Sequence, residues 1–157
     1  MRVWLNGRLV PLEQARVSVL DHGFTVGDGV FETLRLLRGA PFAPSRHIAR
    51  LQRSAGALGL PVPDAELVAA AMADVLAANR PSLDNNARLR VTYSSGAGPL
   101  GSERGDGPVT LVAVAAPGSA WPVTTDVVVA PGPRNERGPR AGVKSTSYAE
   151  NPVALAF

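Results

Sequence analysis

The sequence predicts β-strands before and after a pair of α-helices, and this order restricts the possible folds of the chain more than any other feature. Asn6-Gly7 separates Arg2–Leu5 from Arg8–Val10 and favours a two-residue β-hairpin, because both turn positions tolerate positive φ. Further strands are predicted over three segments, which are Val30–Leu37, Ala87–Ser94 and Pro108–Ala115. The order predicts an α+β fold that begins with a two-layer α/β domain.

Two helices are predicted between these strands. The first opens at Pro44-Ser45 with Ser45 as its N-cap, carries apolar residues at helical spacing through Leu58, and ends at Gly59. The second opens at Pro63-Asp64 and runs to about Asn79. Apolar residues make up 45% of the 157 residues but aromatic residues only 5%, so the core must consist mainly of Ala, Val and Leu.

The predicted domain organisation has three parts. Residues 1–115 form the amino-terminal α+β domain, residues 116–123 a Pro- and Gly-rich linker, and residues 124–157 the beginning of a second, β-rich domain. The second domain is expected to contain a strand over Asp126–Ala130 and a helix that Ser145-Thr146-Ser147 cap and that includes Phe157. Because the sequence stops within that helix, we expect this domain to be incomplete.

Composition excludes several classes of function. The chain has no cysteine, which excludes disulfides, thiolate metal sites and a thiol nucleophile, and its two distant histidines predict no metal site. Its net charge of +3 comes without a basic run or aromatic-basic interleaving, so no nucleic-acid partner is expected. The amino terminus lacks the apolar core of a signal peptide, and no segment is apolar enough to span a membrane. We therefore expect a cytoplasmic protein.

Lysine occurs once, at Lys144, whereas arginine occurs fifteen times. Arginine can replace lysine in most surface ion pairs, but a guanidinium stays protonated and cannot serve as an amine nucleophile. Lys144 is therefore a candidate for condensation with a carbonyl group as a Schiff base. The alternative is that it is a chance remnant of a coding bias towards arginine.

Arg50 lies on the flank of the apolar stripe of the first helix, whereas Arg46 and Arg53 fall almost opposite the stripe. A flank arginine either packs its aliphatic stem against the core or meets a phosphate or carboxylate with two hydrogen bonds. His47 lies nearer still to the stripe and is expected to pack partly against its neighbours.

Three motifs, taken in order, resemble the class IV aminotransferases, the fold-type IV enzymes that use pyridoxal 5'-phosphate (PLP). They are Val26-Gly27-Asp28-Gly29-Val30-Phe31-Glu32-Thr33, then Phe42 with His47-Ile48-Ala49-Arg50-Leu51-Gln52-Arg53-Ser54-Ala55, then Gly142-Val143-Lys144-Ser145-Thr146-Ser147-Tyr148-Ala149-Glu150-Asn151. The resemblance covers essentially the whole chain. It implies that the second domain is the barrel-like, PLP-binding domain of this family, present here only in part.

The resemblance also implies roles for individual residues. Lys144 would form the Schiff base with PLP and move the proton on the α-carbon of the substrate, and Arg50 would bind the cofactor phosphate. Tyr148 would lie near the phenolate oxygen of the cofactor, with simple packing as its alternative. Phe31 and Tyr93 are assigned to the substrate pocket. A phenyl ring at position 31 cannot donate a hydrogen bond to a substrate carboxylate.

The resemblance leaves the reaction open. The loop after Ser94, with Gly96, Gly98 and Gly101, lacks the arginine and histidine of the D-amino-acid members and looks more like the 4-amino-4-deoxychorismate lyases. A branched-chain type of amino-acid aminotransferase is the alternative within the family. The alternative from another class is a non-catalytic module, or fragment, with this fold. The family also implies a small-molecule amino substrate and a homodimer.

Overall fold

The first hairpin forms around Asn6-Gly7. In the computed structural model, which describes residues 1–120, 122–133 and 135–156, strands β1 (Arg2–Leu5) and β2 (Arg8–Pro11) pair antiparallel across this turn. Asn6 and Gly7 have φ values of 46° and 93°. Both values are positive, as a two-residue hairpin of type I′ requires. The predicted hairpin is confirmed.

Four further strands extend the hairpin into one antiparallel sheet. They are β3 (Gly29–Leu37), β4 (Ala40–Pro41), β5 (Arg88–Ser94) and β6 (Thr110–Ala116). The six strands lie in the order β2-β1-β6-β5-β3-β4. The central pairs β3–β5 and β5–β6 are the longest, with seven residue pairs each. The three predicted strands are thus confirmed, within two residues at each end.

Two long helices cover one face of this sheet, which confirms the α+β fold. Helix α2 (Pro44–Ala57) buries Ile48, Leu51 and Ala55, and helix α3 (Ala65–Asn79) packs beside it. The core between the helices and the sheet is made mostly of Val, Leu and Ala side chains, as the low aromatic content predicts. A four-residue helix, α1 (His22–Thr25), precedes β3. Within the described residues no helix is long and apolar enough to cross a membrane.

The start of α2 differs from the prediction. The helix begins at Pro44, after Ala43 with φ of 49°, and no side chain caps it, so the assignment of Ser45 as N-cap is wrong. Proline suits this first position because it lacks the N–H that would otherwise stay unpaired there. Helix α3 begins as expected, because the Asp64 carboxylate accepts a hydrogen bond from the Glu66 N–H at 2.8 Å.

The predicted strand Asp126–Ala130 is wrong, because these residues lie outside any strand. Val127 and Val129 are 87% and 96% exposed. An isolated extended segment has no partner for its backbone hydrogen bonds, so β propensity alone does not make it a strand. Helix α4 (Glu150–Leu155) forms close to the predicted place, but it follows Ala149 without a side-chain cap from residues 145–147. Trp121 and Phe157 lie outside the described residues.

Candidate functional site

Lys144 belongs to a short extended piece of chain, residues 143–147, that we call the lysine segment. It runs antiparallel along the free edge at the start of β3, with Val30 opposite Ser145. The Phe31 N–H donates to the Lys144 carbonyl at 3.0 Å, and the Thr146 N–H donates to the Gly29 carbonyl at 2.8 Å. These two backbone bonds fix the lysine segment against the sheet.

Helix α2 provides a third attachment. The Lys144 N–H donates to the hydroxyl of the buried Ser54 at 3.3 Å. Ser54 follows Arg50 by one helical turn, so the lysine segment and the face of α2 that carries Arg50 lie against the same end of β3. The structure therefore holds the lysine segment against the helix that carries Arg50.

The amine of Lys144 lies in an aromatic corner. Its Nζ is 4.2 Å from the centre of the Phe31 ring and 5.1 Å from that of Tyr148. The two rings meet edge to face, with centres 5.1 Å apart and an interplanar angle of 89°. The face of an aromatic ring attracts a cation, so this corner can hold the protonated amine without a carboxylate partner.

Arg90 lies over the same ring, a relationship that the sequence motifs did not indicate. Its Cζ is 3.8 Å from the centre of Phe31, and its Nε donates to the Thr92 hydroxyl at 3.2 Å. In β5 the buried Leu89 and Val91 face the helices, so alternation places Arg90 on the opposite face, with Phe31. Burial lowers the pKa of Arg90, but a guanidinium stays protonated at neutral pH. The Phe31 ring therefore contacts two cations, Arg90 and Lys144.

Glu32 is the buried charge on the helix side of β3. Its side chain is 0% exposed and lies on the same face as the apolar Val30 and Leu34. Its carboxylate accepts hydrogen bonds from Arg50 Nε and Nη2, both at 2.6 Å, and pairs with His47 Nδ1 at 2.7 Å. The partly buried environment of His47 was expected, and this carboxylate explains it.

These hydrogen bonds decide the charge of the group. Burial would raise the pKa of Glu32, but hydrogen bonds from Arg50 and His47 outweigh burial and lower it. The hydrogen bond to Glu32 raises the pKa of Arg50. Glu32 is therefore ionised at neutral pH. The sequence reasoning allowed Arg50 a two-bonded carboxylate partner, and the chain itself supplies that partner.

Arg50 keeps part of its guanidinium available. Its side chain is 45% exposed, and Glu32 occupies only Nε and one N–H of Nη2. The remaining N–H groups open on a surface depression that is lined by Phe42, Ala43, Arg46, His47, Arg50 and Arg53. Three arginines around one depression fit a phosphate dianion in charge and in hydrogen-bond donors. The donor set therefore suits a phosphorylated ligand.

The two tyrosines differ in position. Tyr148 is in the aromatic corner and is 42% exposed. Tyr93 is 4% exposed, pairs in register with Val30 and belongs to the core under the helices, and burial raises its pKa. Because Phe31 and Lys144 are on the other face, Tyr93 lies apart from the group that the structure assembles.

Sequence reasoning missed Glu32 and Arg90 as members of this group. A signal for Glu32 was present: strand alternation places it on the same face as Val30 and Leu34, and a carboxylate on a buried face needs a cationic partner. Helical spacing alone could not show that the partner is Arg50, because the strand that carries Glu32 and the helix must first be packed together.

The family model described as amino-transferase class IV matches residues 29–157, and the chain belongs to this family. Its members among the curated relatives include both lyases and aminotransferases.

Two relatives illustrate this range. The chain is 38% identical to the aminodeoxychorismate lyase of Bacillus subtilis over 94 residues, which are 60% of this chain and 32% of that protein. It is 39% identical to the D-alanine aminotransferase of Listeria innocua over 92 residues, which are 59% of this chain and 32% of that protein. The chain thus spans about a third of the length of these relatives.

Solved structures agree on the fold. The branched-chain aminotransferase of Thermoproteus uzoniensis, solved with norvaline, matches with a TM-score of 0.66 and 31% identity, over 74% of this chain and 40% of that one. A hypothetical aminotransferase of Mycobacterium tuberculosis in its PLP-bound form matches with a TM-score of 0.64 and 25% identity, over 74% of this chain and 39% of that one.

Proposed function

We propose that the chain carries the lysine-bearing part of a PLP-dependent enzyme that acts on a small amino substrate. The position of the Lys144 amine, 4.2 Å from the Phe31 ring and on a sheet edge next to the helix of Arg50, carries the proposal. PLP-bound forms among the matched structures support the choice of cofactor. When bound, PLP supplies an aldehyde that condenses with an amine and a ring that withdraws electrons from the substrate.

The chain's own residues would divide the work as follows. Arg50 would hold the cofactor phosphate with the N–H groups that Glu32 leaves unused. Lys144 would bond covalently to the cofactor and then hold, at Nζ, the proton taken from the α-carbon of the substrate. Tyr148 and Phe31 would wall the amine from water on two sides. Arg90 would attract a substrate carboxylate to this face.

We propose a reaction of the 4-amino-4-deoxychorismate lyase type, in which the same proton abstraction is followed by loss of the β-substituent as enolpyruvate, which takes up a proton to give pyruvate. Two observations support it over a D-amino-acid aminotransferase. Residue 31 is a phenylalanine without a hydroxyl group, and residues 95–102 contain neither arginine nor histidine. Arg104, further along the same loop, has its guanidinium bound to the Asp28 carboxylate. Amino transfer of the branched-chain type is the second candidate, supported by the match to the norvaline-bound structure.

The proposal also includes an amino-terminal domain of residues 1–115, a linker of residues 116–123 and the beginning of a second domain in residues 124–157. It further includes a homodimer and a cytoplasmic location.

The lone lysine makes the test of the cofactor bond simple. PLP is added to the purified protein, the near-ultraviolet band of the bound cofactor is recorded, and borohydride reduction fixes the adduct for mass mapping. We expect a single adduct at Lys144, because the only other amine able to form it is the amino terminus. Lys144→Arg keeps the positive charge beside Phe31 but should give neither the band nor the adduct. An adduct confined to the amino terminus contradicts the proposal.

A second assay separates the reactions. Pyruvate release from aminodeoxychorismate is compared with amino transfer from a branched-chain amino acid to 2-oxoglutarate. Pyruvate release that Lys144→Arg abolishes supports the lyase, and amino transfer without pyruvate release supports the second candidate. Absence of both reactions and of the adduct favours a non-catalytic module.

A further inference from the structure

Arg104 makes four short hydrogen bonds from the loop between β5 and β6. Its Nε and Nη2 donate to the two carboxylate oxygens of Asp28 at 2.7 and 2.8 Å. Its Nη1 and Nη2 also donate to the carbonyls of Gly59 and Leu58 at 2.8 and 2.7 Å. These carbonyls lie just past the end of α2, where helical partners run out and a cation is favoured. One side chain therefore ties the loop to two other segments.

The same loop, residues 95–107, is attached again near its start. The Gly98 N–H donates to the Leu20 carbonyl at 3.1 Å, and the ring Nε2 of the buried His22 lies 2.8 Å from the Pro99 carbonyl. Between these attachments and Arg104 lies a tip that includes Leu100, which is 81% exposed. The loop is thus held near its start, where Ser95 and Gly96 also bond to Asp28 and His22, and again at Arg104. An exposed apolar tip lies between these attachments.

Asp28 is the middle residue of the turn Gly27-Asp28-Gly29, and this turn also holds the lysine segment. The Gly27 carbonyl accepts hydrogen bonds from the Thr146 and Ser147 hydroxyls at 2.9 and 3.1 Å. The Gly29 carbonyl accepts from the Thr146 N–H at 2.8 Å. The loop and the lysine segment therefore bind to the same three-residue turn. The loop binds the carboxylate and the carbonyl of Asp28, the latter from the Ser95 N–H at 3.2 Å, and the lysine segment binds the carbonyls of Gly27 and Gly29.

We propose that Arg104 is a positioning residue that holds the glycine-rich loop at a fixed place relative to Lys144, through the turn at Asp28. This role rests on the proposed function of Lys144. If Lys144 carries the cofactor, the loop forms a wall of the substrate site. An ordinary exposed ion pair contributes little, since its side chains must be ordered in water. Arg104 differs because its fork meets a carboxylate with two bonds and helix-end carbonyls with two more, which fixes its orientation.

Amide hydrogen exchange on the full chain tests the coupling without any need for activity. In Arg104→Gln we expect exchange to accelerate about tenfold in residues 96–106 and also in residues 143–147, with no change in β1 and β6. Glu103→Gln alters the neighbouring charge in the same loop and should leave all of these rates unchanged. Acceleration limited to residues 96–106 would overturn the proposed coupling, and equal acceleration everywhere would show only a loss of global stability.

A conservative variant and a kinetic measurement complete the test. Arg104→Lys keeps one charge for Asp28 but cannot span the carboxylate and both carbonyls, so it should recover only part of the lost protection. Complete recovery would contradict a role for the fork geometry. In the PLP-loaded protein, Arg104→Gln should raise the KM of the amino substrate more than it lowers kcat. If no PLP adduct forms, the proposed function fails while the exchange result still decides the coupling.

Discussion

The guanidinium of Arg50 meets the carboxylate of Glu32 through two hydrogen bonds of 2.6 Å, and Glu32 is fully buried while Arg50 is about half exposed. The arginine is thus held from its inner side and keeps N–H groups on its outer side. A charged residue held in this way loses little conformational freedom when it binds an anion. If Arg50 holds the cofactor phosphate as proposed, Glu32 would act on that phosphate through Arg50 without touching it.

Acid should destabilise the protein partly through Glu32. The pKa of Glu32 is lowered in the folded state, so its contribution to stability is complete above the unfolded value of about 4.3 and is lost as the pH falls towards the folded value. Urea denaturation between pH 7 and pH 3 should show this loss. In Glu32→Gln the dependence below about pH 5 should be shallower. The hydrogen bond to Arg104 also lowers the pKa of Asp28, so Asp28 adds to the same loss of stability in acid. The pH dependence of Asp28→Asn therefore shows how much of the loss belongs to Asp28.

Arg50→Ala should cost about 1 to 3 kcal/mol of unfolding free energy, because it leaves the Glu32 carboxylate buried with only His47 beside it, while the exposed side of Arg50 limits the loss. Arg53→Ala is the matched control, since Arg53 is an exposed arginine on the same helix. Its removal should change stability by less than about 0.5 kcal/mol. Urea denaturation at pH 7 measures both, and equal losses in the two variants would contradict the importance of the Glu32 contact.

Local signals explain which parts of this fold could be predicted. The spacing of Ile48, Leu51 and Ala55 already defines the buried face of α2, and Asn6-Gly7 defines the turn between β1 and β2. The prediction failed at Asp126–Ala130, where local preference indicated a strand but none of the strands in the described residues pairs with this segment. β propensity shows that a segment can adopt an extended conformation, but the segment forms a strand only when another strand pairs with it.

The candidate site shows the same division. Lys144 could be proposed as a site residue from the sequence, because it is the single lysine and lies within a recognisable motif. The contacts of Arg90 with Phe31 and of Arg104 with Asp28 depend on the register of β3 with β5 and on a loop that returns across 76 residues. Such contacts become visible only once the strand order is known.

Gly27→Ala should displace the lysine segment. Gly27 has φ of 71°, and an added Cβ would collide with the Ser147 hydroxyl. Gly39→Ala is the control, because Gly39 has a similar φ of 78° but nothing within 4 Å of an added Cβ. The unfavourable φ should lower the free energy of unfolding of both variants by about 1 kcal/mol. The collision should lower that of Gly27→Ala by roughly 1 to 3 kcal/mol more. Denaturation measures this difference, and equal losses would mean that Ser147 moves away freely.

Arg90 should determine affinity for the carboxylate of the substrate. In the PLP-loaded protein, Arg90→Gln should raise the KM of a carboxylate-bearing amine at least about tenfold, the equivalent of one charged hydrogen bond. It should leave the KM of a matched amine without a carboxylate almost unchanged. Because Arg90 is only partly buried, losing its contact with Phe31 and its hydrogen bond to Thr92 should lower the free energy of unfolding by no more than about 1 kcal/mol. Arg90→Lys keeps the charge but loses the planar fork, and we expect an intermediate KM. If KM rises equally for both amines, Arg90 shapes the aromatic corner around Phe31 and does not recognise the carboxylate.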